Sequence, residues 1–230
     1  MSTGNTIARV IDHTLLKPNV AKEQIIRLCE EAKQYGFASV CVNPCYVRLA
    51  ADQLKGASPK VCTVIGFPLG ATTISAKLAE AEEAVRNGAA ELDYVITISD
   101  ALNGSYDAVR AEMEAFVQFK REHTSAPVVK AILETCYLED EQIRRICQLA
   151  RETGLDFVKT STGFGPGGAT VHHVRLMREN VGPHVGVKAS GGIRTYQDCL
   201  AMLQAGASRI GASASVAIVT QSSGFGDVSY

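Results

Sequence analysis

Two neighbouring stretches, DFVKTSTGFGPGG at residues 156–168 and VGVKASGGIRT at residues 185–195, share one pattern. Each opens with a short apolar run, reaches a lysine near the end of that run, and continues into a glycine-rich loop ahead of a helical segment. Short, continuously apolar runs are typical of parallel strands that are buried on both faces. The two stretches therefore predict consecutive strand–loop–helix units of an α/β fold.

The same unit recurs along the whole 230-residue chain. Apolar runs predict eight strands, at residues 8–12, 38–42, 60–66, 91–98, 128–133, 157–160, 185–189 and 208–211. Helical segments between them end at glycines in the position that a helix C-terminus favours, namely Gly36, Gly88, Gly154 and Gly206. Eight strands with intervening helices predict an α/β fold of the single (β/α)8 TIM-barrel type, a parallel eight-stranded barrel with outer helices.

A doubly wound open sheet is the alternative fold. It usually carries a glycine-rich turn after its first strand, but here DHTLLKP, at residues 12–18, stands in that place and the glycines gather after the later strands. The barrel is therefore favoured. It is expected to form one catalytic domain over residues 1–220, followed by a flexible Ser- and Gly-rich tail over residues 221–230.

The composition narrows the class of partner and compartment. The formal net charge is −1 and the basic residues are scattered, so no nucleic-acid surface is expected. No apolar run reaches the length of a membrane span, and the first residues do not form a secretory signal, so no membrane partner is expected. The seven cysteines are an odd number without a metal-binding spacing, which favours buried thiols in a reducing cytoplasm.

Charged side chains interrupt the apolar strands, and a buried charge without a partner is costly. They are Asp12, Asp93, Lys130, Glu134, Lys159 and Lys188. In a barrel, the active site lies at the C-terminal ends of the strands, so these groups are expected to converge there.

Lys159 and Lys188 fall on adjacent predicted strands. A second ammonium group and burial both disfavour protonation, so one lysine of the pair should have a depressed pKa. An uncharged amine can attack a carbonyl and form a Schiff base. The pattern does not say which lysine is the nucleophile, and each lysine could instead be paired structurally with an acid. Asp93 could shuttle protons through a water or simply orient a lysine.

Glycines after the sixth, seventh and eighth strands predict a phosphate site, because backbone N–H groups at these last loops of a barrel often bind phosphate. The alternative is that they are turn glycines without a ligand. His172 and His173 are interpreted as a solvated pair, and no metal site is expected. The residues assigned to the phosphate loops are Gly163, Gly191, Gly192, Arg194, Gly211 and Ser213.

Seven stretches make the chain resemble the deoxyribose-phosphate aldolase family over nearly its whole length. They are IDHTLLKP (11–18), CVNP (41–44), TVIGFPLGATT (63–73), ELDYVITI (91–98), DFVKTSTGFGPGGAT (156–170), VGVKASGGIRT (185–195) and RIGAS (209–213). The resemblance implies a metal-free Schiff-base aldolase without a cofactor. Its reaction interconverts 2-deoxy-D-ribose 5-phosphate with D-glyceraldehyde 3-phosphate and acetaldehyde, in the breakdown of deoxynucleosides.

The resemblance also implies roles for particular residues. Lys159 is expected to form the Schiff base, and Lys188 to lower its pKa and relay protons with Asp93 and a water. Asp12 and Thr14 are expected to contact the sugar, and Cys41 to lie near the pocket. The expected accessory residues are Lys130 and the terminal Tyr230, the latter by analogy with family members whose C-terminal tail reaches the site.

Two residues depart from the family pattern, namely Thr97, where many members carry Asn, and Phe164, where some carry Lys.

Two rival functions stay open at this point. One is another Schiff-base barrel enzyme acting on a keto acid or ketose phosphate, and the other is a sugar-phosphate-binding barrel without activity. A homo-oligomer, dimer or tetramer, is expected.

Overall fold

The computed structural model describes residues 7–221 and confirms the predicted barrel. Eight parallel strands close in sequence order, each hydrogen-bonded to the next and β8 to β1. The strands are β1 (Ile11–Leu15), β2 (Ser39–Val42), β3 (Lys60–Ile65), β4 (Glu91–Val95), β5 (Val128–Ile132), β6 (Phe157–Lys159), β7 (Gly186–Ser190) and β8 (Arg209–Ala212).

Helices follow the strands on the outside of the barrel. Within residues 7–221 they are α1 (Lys22–Tyr35), α2 (Val47–Gln53), α3 (Ile74–Arg86), α4 (Ile98–Leu102), α5 (Tyr106–Glu122), α6 (Asp140–Thr153), α7 (Val171–Val181), α8 (Tyr196–Gln204) and α9 (Ser215–Thr220). Their apolar faces pack on the strands, as where the ring of Tyr94 on β4 stacks on Phe116 of α5 with centroids 3.8 Å apart. No helix in the described part of the chain is long and apolar enough to cross a bilayer.

The helix ends follow the predicted glycines with small differences. Gly36 and Gly154 adopt left-handed conformations, at φ 71° and 79°, and cap α1 and α6 as expected. α3 and α8 end slightly earlier, with Asn87 and Ala205 as caps and the predicted glycines just beyond. α2 was expected as a helix between β2 and β3 but without bounds, and α4 had no counterpart in the prediction.

The predicted bounds of two strands were wrong. β1 was expected at residues 8–12, but it begins at Ile11 and runs to Leu15, while Ala8 lies in a preceding helical turn. The strand continues through Asp12 because partners inside the barrel satisfy that carboxylate. β4 was expected to reach residue 98 but ends at Val95, since the N–H of Thr97 instead donates to Glu112 at 3.0 Å and α4 begins.

The barrel interior is polar at its centre. Strand residues that point inward carry charges that are almost fully buried, and the strand register brings them to similar heights, because Lys159 lies opposite Lys188 and Asp93 opposite Lys130. The predicted tail lies outside the described residues except for Gln221, and so does the predicted accessory residue Tyr230.

Candidate active site

Asp93 is the centre of the buried charges. Its Oδ2 accepts hydrogen bonds from Lys159 at 2.8 Å and from Lys188 at 2.7 Å, and its Oδ1 accepts from Lys130 at 2.8 Å. Burial alone would raise the pKa of Asp93, but the charges of the three lysines hold it well below its ordinary value. The predicted convergence of strand charges is confirmed for Asp12, Asp93 and the three lysines, whereas Glu134 contacts the loop after β6 instead.

Lys188 is held by two carboxylates, Asp12 and Asp93. Burial would lower the pKa of Lys188, but these two negative charges raise it above the ordinary lysine value. The raised pKa favours the ammonium form of Lys188.

Lys130 is balanced in the same way. It contacts Glu91 at 2.6 Å and Asp93 at 2.8 Å, and these carboxylates outweigh burial and raise its pKa well above the ordinary value. Lys130 stands opposite the first residue of β6, Phe157, whereas Lys159 is the last residue of that strand. Lys130 therefore lies deeper in the barrel than Lys159, farther from the C-terminal mouth.

Lys159 differs from both other lysines. Among the described residues, Asp93 is the only carboxylate within ion-pairing distance of its Nζ, and Asp93 is shared with Lys130 and Lys188. Its side chain is 3% exposed, against 0% for Lys130 and 1% for Lys188, and it ends its strand at the mouth. The geometry thus distinguishes the three lysines that the sequence pattern could not separate.

Asp12 lies behind Lys188 rather than at the mouth. Its Oδ1 accepts from Ser39 and Arg209, each at 2.7 Å, and its Oδ2 binds Lys188, so the fully buried carboxylate has its partners inside the protein. Thr14, at 7% exposure, donates its hydroxyl to the carbonyl of Asp12 at 2.8 Å. The two residues that the resemblance assigns to the sugar thus adjoin the buried charges.

Sequence reasoning missed two charged residues of this site, Glu91 and Arg209. Arg209 contacts Asp12 at 2.7 Å and Glu91 at 3.4 Å. Both are the first residues of their strands. The signal that could have found Glu91 is its spacing of two from Asp93, because alternate strand residues point to the same face.

The loops after β6 and β7 touch each other at the mouth. Gly163, Gly191 and Gly192 have φ of 87°, 86° and 79°, a region that favours glycine. A Cβ on Gly168 would lie 2.3 Å from the carbonyl oxygen of Gly191, and the N–H of Ala169 donates to that same oxygen at 3.0 Å. The predicted phosphate loops are therefore in direct backbone contact.

The other residues predicted for phosphate lie in different surroundings. Arg194 is exposed at the turn before α8, and Ser213 is half-buried after β8. Gly211 is buried against the side chain of Lys188, since a Cβ there would lie 3.0 Å from Lys188 Cε. Its lack of a side chain leaves room for that lysine.

Glu134, another of the charged residues found in the sequence, holds the β6 loop. It follows β5 in a left-handed conformation, φ 54°, which is unusual for a residue with a Cβ. Its buried carboxylate accepts from the N–H of Thr162 at 3.2 Å and from the hydroxyl of the same residue. Glu134 thus fixes the loop that follows Lys159.

Thr97 and Phe164, the two residues that depart from the family pattern, each have defined contacts. Thr97 faces outward, with its hydroxyl 3.3 Å from Lys77 Nζ, which in turn pairs with Glu112 beneath the helices. Phe164 is 41% exposed and packs edge-on against Phe67, with centroids 5.2 Å apart. Thr97 is therefore part of the packing between α3 and α5, and Phe164 adds an apolar surface at the mouth.

Three groups in the described chain bring metal-ligand types within 4.8 Å of one another. Two lie in the barrel, Cys41–Cys62–Asp93 and Asp12–Cys62–Glu91, and the ammonium groups of Lys130 and Lys188 already hold their carboxylates. The third, Asp140–His172–His173, lies at the N-termini of α6 and α7, where helix dipoles disfavour a cation. There, His172 bonds Asp140 at 2.8 Å.

A parallel barrel with a buried lysine at its mouth, a second lysine across from it and glycine loops beside them defines the class of lysine-bearing (β/α)8 barrel enzymes. The profile of the DeoC/LacD family of aldolases matches residues 6–226. The chain belongs to this family.

Curated relatives agree over nearly the full length. A deoxyribose-phosphate aldolase of Caldanaerobacter subterraneus subsp. tengcongensis is 60% identical over 215 residues, covering 94% of this chain and 93% of the relative. One of Thermoanaerobacter pseudethanolicus is 59% identical, with 94% and 96% covered. The solved deoxyribose phosphate aldolase of Aeropyrum pernix, described as a unique tetramer, superposes with a TM-score of 0.88 at 34% identity, covering 95% of this chain and 92% of its own.

Proposed function

We propose that the chain is a Schiff-base aldolase that interconverts 2-deoxy-D-ribose 5-phosphate with D-glyceraldehyde 3-phosphate and acetaldehyde. The single observation that carries this proposal is the position of Lys159. Its Nζ lies at the mouth and shares its one carboxylate, Asp93, with two other lysines that are ammonium groups. Of the three lysines, it is the one that ends its strand at the mouth and has no second carboxylate partner, so we assign it the role of the attacking amine.

In the cleavage direction, Lys159 attacks the aldehyde carbon C1 of the open-chain sugar, and loss of water gives an iminium. The ammonium group of Lys188 gives its proton to the departing water and becomes an amine. This amine then takes the proton of the C3 hydroxyl as the C2–C3 bond breaks, and the iminium takes up the electron pair. Glyceraldehyde 3-phosphate departs and leaves an enamine on Lys159. Protonation at carbon and hydrolysis then release acetaldehyde and the free amine.

Asp93 acts in this scheme as an orienting and charge-balancing group. A carboxylate with a strongly lowered pKa is a weak base, so the proton is expected to pass to and from Lys188 and a substrate-bound water, with Asp93 holding both lysines in place. Lys130 then supports Asp93 from the far side, as the deeper member of the set.

The phosphate of the substrate is placed at the loops after β6, β7 and β8. The left-handed glycines Gly163, Gly191 and Gly192 leave their backbone open to close approach. Arg194, Ser213 and the hydroxyl of Thr14 are further candidate contacts. Asp12 and Gly211 contribute to the proposed reaction indirectly, because both contact Lys188 and so fix the position of its side chain.

The remaining assignments are a metal-free reaction without a cofactor, a cytoplasmic location and a homo-oligomer. An amine nucleophile with an ammonium proton donor supplies the chemistry of the reaction from side chains alone. The odd number of cysteines, free in the described chain, supports a reducing compartment, and the tetrameric relative supports an oligomer. Size-exclusion chromatography with light scattering tests the last point.

A coupled assay that detects glyceraldehyde 3-phosphate released from 2-deoxyribose 5-phosphate tests the function. We expect turnover by the unaltered chain and by Lys33→Leu, which changes an exposed lysine on α1, and none by Lys159→Leu. Release of product by Lys159→Leu would refute the role of this lysine. Activity on a keto acid or ketose phosphate, with none on deoxyribose 5-phosphate, would refute the substrate.

A further inference from the structure

The ion pairs inside the barrel form a closed cycle. Lys188 binds Asp12, Asp12 binds Arg209 at 2.7 Å, and Arg209 reaches Glu91 at 3.4 Å. Glu91 binds Lys130 at 2.6 Å, and Lys130 and Lys188 both bind Asp93. We name this set of six alternating charges the charge ring: Asp12, Glu91, Asp93, Lys130, Lys188 and Arg209.

The charge ring is neutral without Lys159. Three carboxylates, each paired with at least one cation, face two ammonium groups and one guanidinium group. The six charges therefore sum to zero. Lys159 is attached to the ring only through Asp93. Among the described residues, Lys159 has no carboxylate within ion-pairing distance other than Asp93, so protonating it adds a positive charge to a ring that is already neutral, whereas an uncharged amine leaves the charge of the ring unchanged.

Arg209 and Glu91 complete this balance from the far end of the barrel. They are the first residues of β8 and β4, so they lie at the N-terminal side, away from the mouth. Their side chains are 16% and 5% exposed, so water screens them only partly. Neither touches Lys159, and any effect on that amine must pass through the field of the ring.

We propose that Arg209 and Glu91 are positioning residues that hold the net charge of the ring at zero and thereby set the protonation of Lys159. This inference rests on the proposed role of Lys159 as the attacking amine. The pair carries opposite charges, so loss of Glu91 disfavours the protonated amine and loss of Arg209 favours it. A merely structural ion pair would not act in opposite directions.

Every strand contributes a titratable group to this interior. Besides Lys159 on β6 and the six members of the ring, these groups are the thiols of Cys41 on β2 and Cys62 on β3, with Glu134 beyond β5. Cys62 Sγ lies 3.2 Å from Asp93 Oδ1, and burial raises the pKa of this thiol well above its ordinary value, so it carries no charge. Cys41 and Glu134 are present in every variant. They therefore do not change the expectation that the two substitutions shift the protonation of Lys159 in opposite directions.

The test is the pH dependence with which Lys159 reacts in trace acetylation by acetic anhydride, measured against an added free amine and quantified on the Lys159 peptide. We expect the midpoint of reactivity to move to lower pH in Glu91→Gln and to higher pH in Arg209→Gln, each by about one unit. That size follows because one charge roughly 10 Å away in a medium of effective dielectric about 20 shifts a pKa by about one unit.

The double variant Glu91→Gln with Arg209→Gln restores zero net charge and should return the midpoint close to that of the unaltered chain. Arg209→Lys keeps the charge while changing the hydrogen bonds, and should also leave the midpoint in place. As matched controls, Glu152→Gln and Arg110→Gln remove the same charges from a surface ion pair between α5 and α6 and should have no effect.

Shifts in the same direction for both single variants, or no shift in either, would overturn the inference. If one single variant does not fold, as judged by circular dichroism, comparing the other single variant with the double variant still shows in which direction the midpoint of Lys159 reactivity moves. The acetylation of Lys159 needs no turnover, so its result is independent of the aldolase assay. Opposite shifts in a chain that is inactive on deoxyribose 5-phosphate would refute the proposed substrate but support the role of Arg209 and Glu91. An active chain without opposite shifts would refute that role and leave the proposed function standing.

Discussion

Three buried lysines share one carboxylate, and their remaining contacts decide what each can do. Lys130 and Lys188 each have a second acid, which keeps them charged, while Lys159 has Asp93 only. Glu91 lies too deep and Asp12 lies behind Lys188. The chemistry proposed for Lys159 thus depends on which neighbours it lacks as much as on those it has.

Lys188→Leu is expected to lower kcat by about 10² to 10⁴, because the proton donor is lost and Asp12 and Asp93 are left to favour a charged Lys159. The measurement is kcat and kcat/KM against pH, in which the rising limb should move to higher pH. The control is Lys120→Leu, which removes a lysine from a partly exposed ion pair with Asp156. A profile of unchanged shape and height would contradict the role of Lys188.

Asp93→Asn should reduce both activity and stability. Removing the carboxylate leaves three lysines without their shared partner, and breaking a buried ion pair from one side costs about 3–5 kcal/mol. Urea unfolding of this variant and of Asp140→Asn, which changes a half-exposed acid, compares the two positions. Equal unfolding midpoints for the two variants would mean that the buried charges contribute little.

The sequence was a good guide to Lys130, Lys159, Lys188 and Asp93, because a charge inside an apolar strand is rare and needs a reason. It was a poor guide to Arg209, since a charged residue at the start of a strand usually meets solvent. Only the closure of the barrel brings β8 beside β1 and so places Arg209 against Asp12. That contact spans 197 positions in the chain and no local pattern encodes it.

At the scale of elements, the strands were predicted more accurately than their ends. β2, β5 and β7 lie within a residue of the predicted bounds because each is mostly apolar, with a single lysine inside β5 and another inside β7. β1 was placed too early because the prediction ended the strand at Asp12, although the ion pairs of Asp12 let the strand continue past it to Leu15. A tertiary contact therefore overrides the local propensity.

Gly168→Ala tests the contact between the β6 and β7 loops. The added methyl group would lie 2.3 Å from the backbone oxygen of Gly191, so the loops must separate. We expect KM for deoxyribose 5-phosphate to rise about tenfold or more, while acetaldehyde, which has no phosphate, still reacts with Lys159.

The control for this substitution is Gly56→Ala. Gly56 has a positive φ, 77°, which Gly168 does not, but a Cβ at Gly56 meets nothing within 4 Å, and Gly56 lies before β3 at the opposite end of the barrel. Its substitution therefore carries a backbone cost without any loop contact. A similar rise of KM in both variants would show that the phosphate does not bind at these loops.

For the whole molecule, the buried charges couple stability to pH at both ends of the scale. The pKa of Asp12 and that of Asp93 are lowered, so their contribution is complete above about pH 3.8 and is lost as pH falls further. The pKa of Lys130 and that of Lys188 are raised, so their contribution is complete below about pH 10.5 and is lost at higher pH. The network therefore stabilises the barrel most evenly between these limits.

Urea midpoints measured from pH 3 to pH 11 should accordingly be flat across the middle and fall at both ends. Glu91→Gln with Arg209→Gln, which removes one ion pair of the charge ring, should lower the plateau and leave its limits in place. A midpoint that declines steadily from pH 5 to pH 9 in the unaltered chain would contradict this picture, because none of the four shifted groups titrates there.

We expect Lys159, and neither of its two lysine neighbours, to be the amine that forms the Schiff base with the aldehyde. Borohydride reduction in the presence of acetaldehyde, followed by peptide mass mapping, measures this directly. We expect one ethyl group, on Lys159, with Lys130 and Lys188 unmodified. An ethyl group on Lys188 or Lys130, or a chain that acetaldehyde and borohydride leave unchanged, would contradict it.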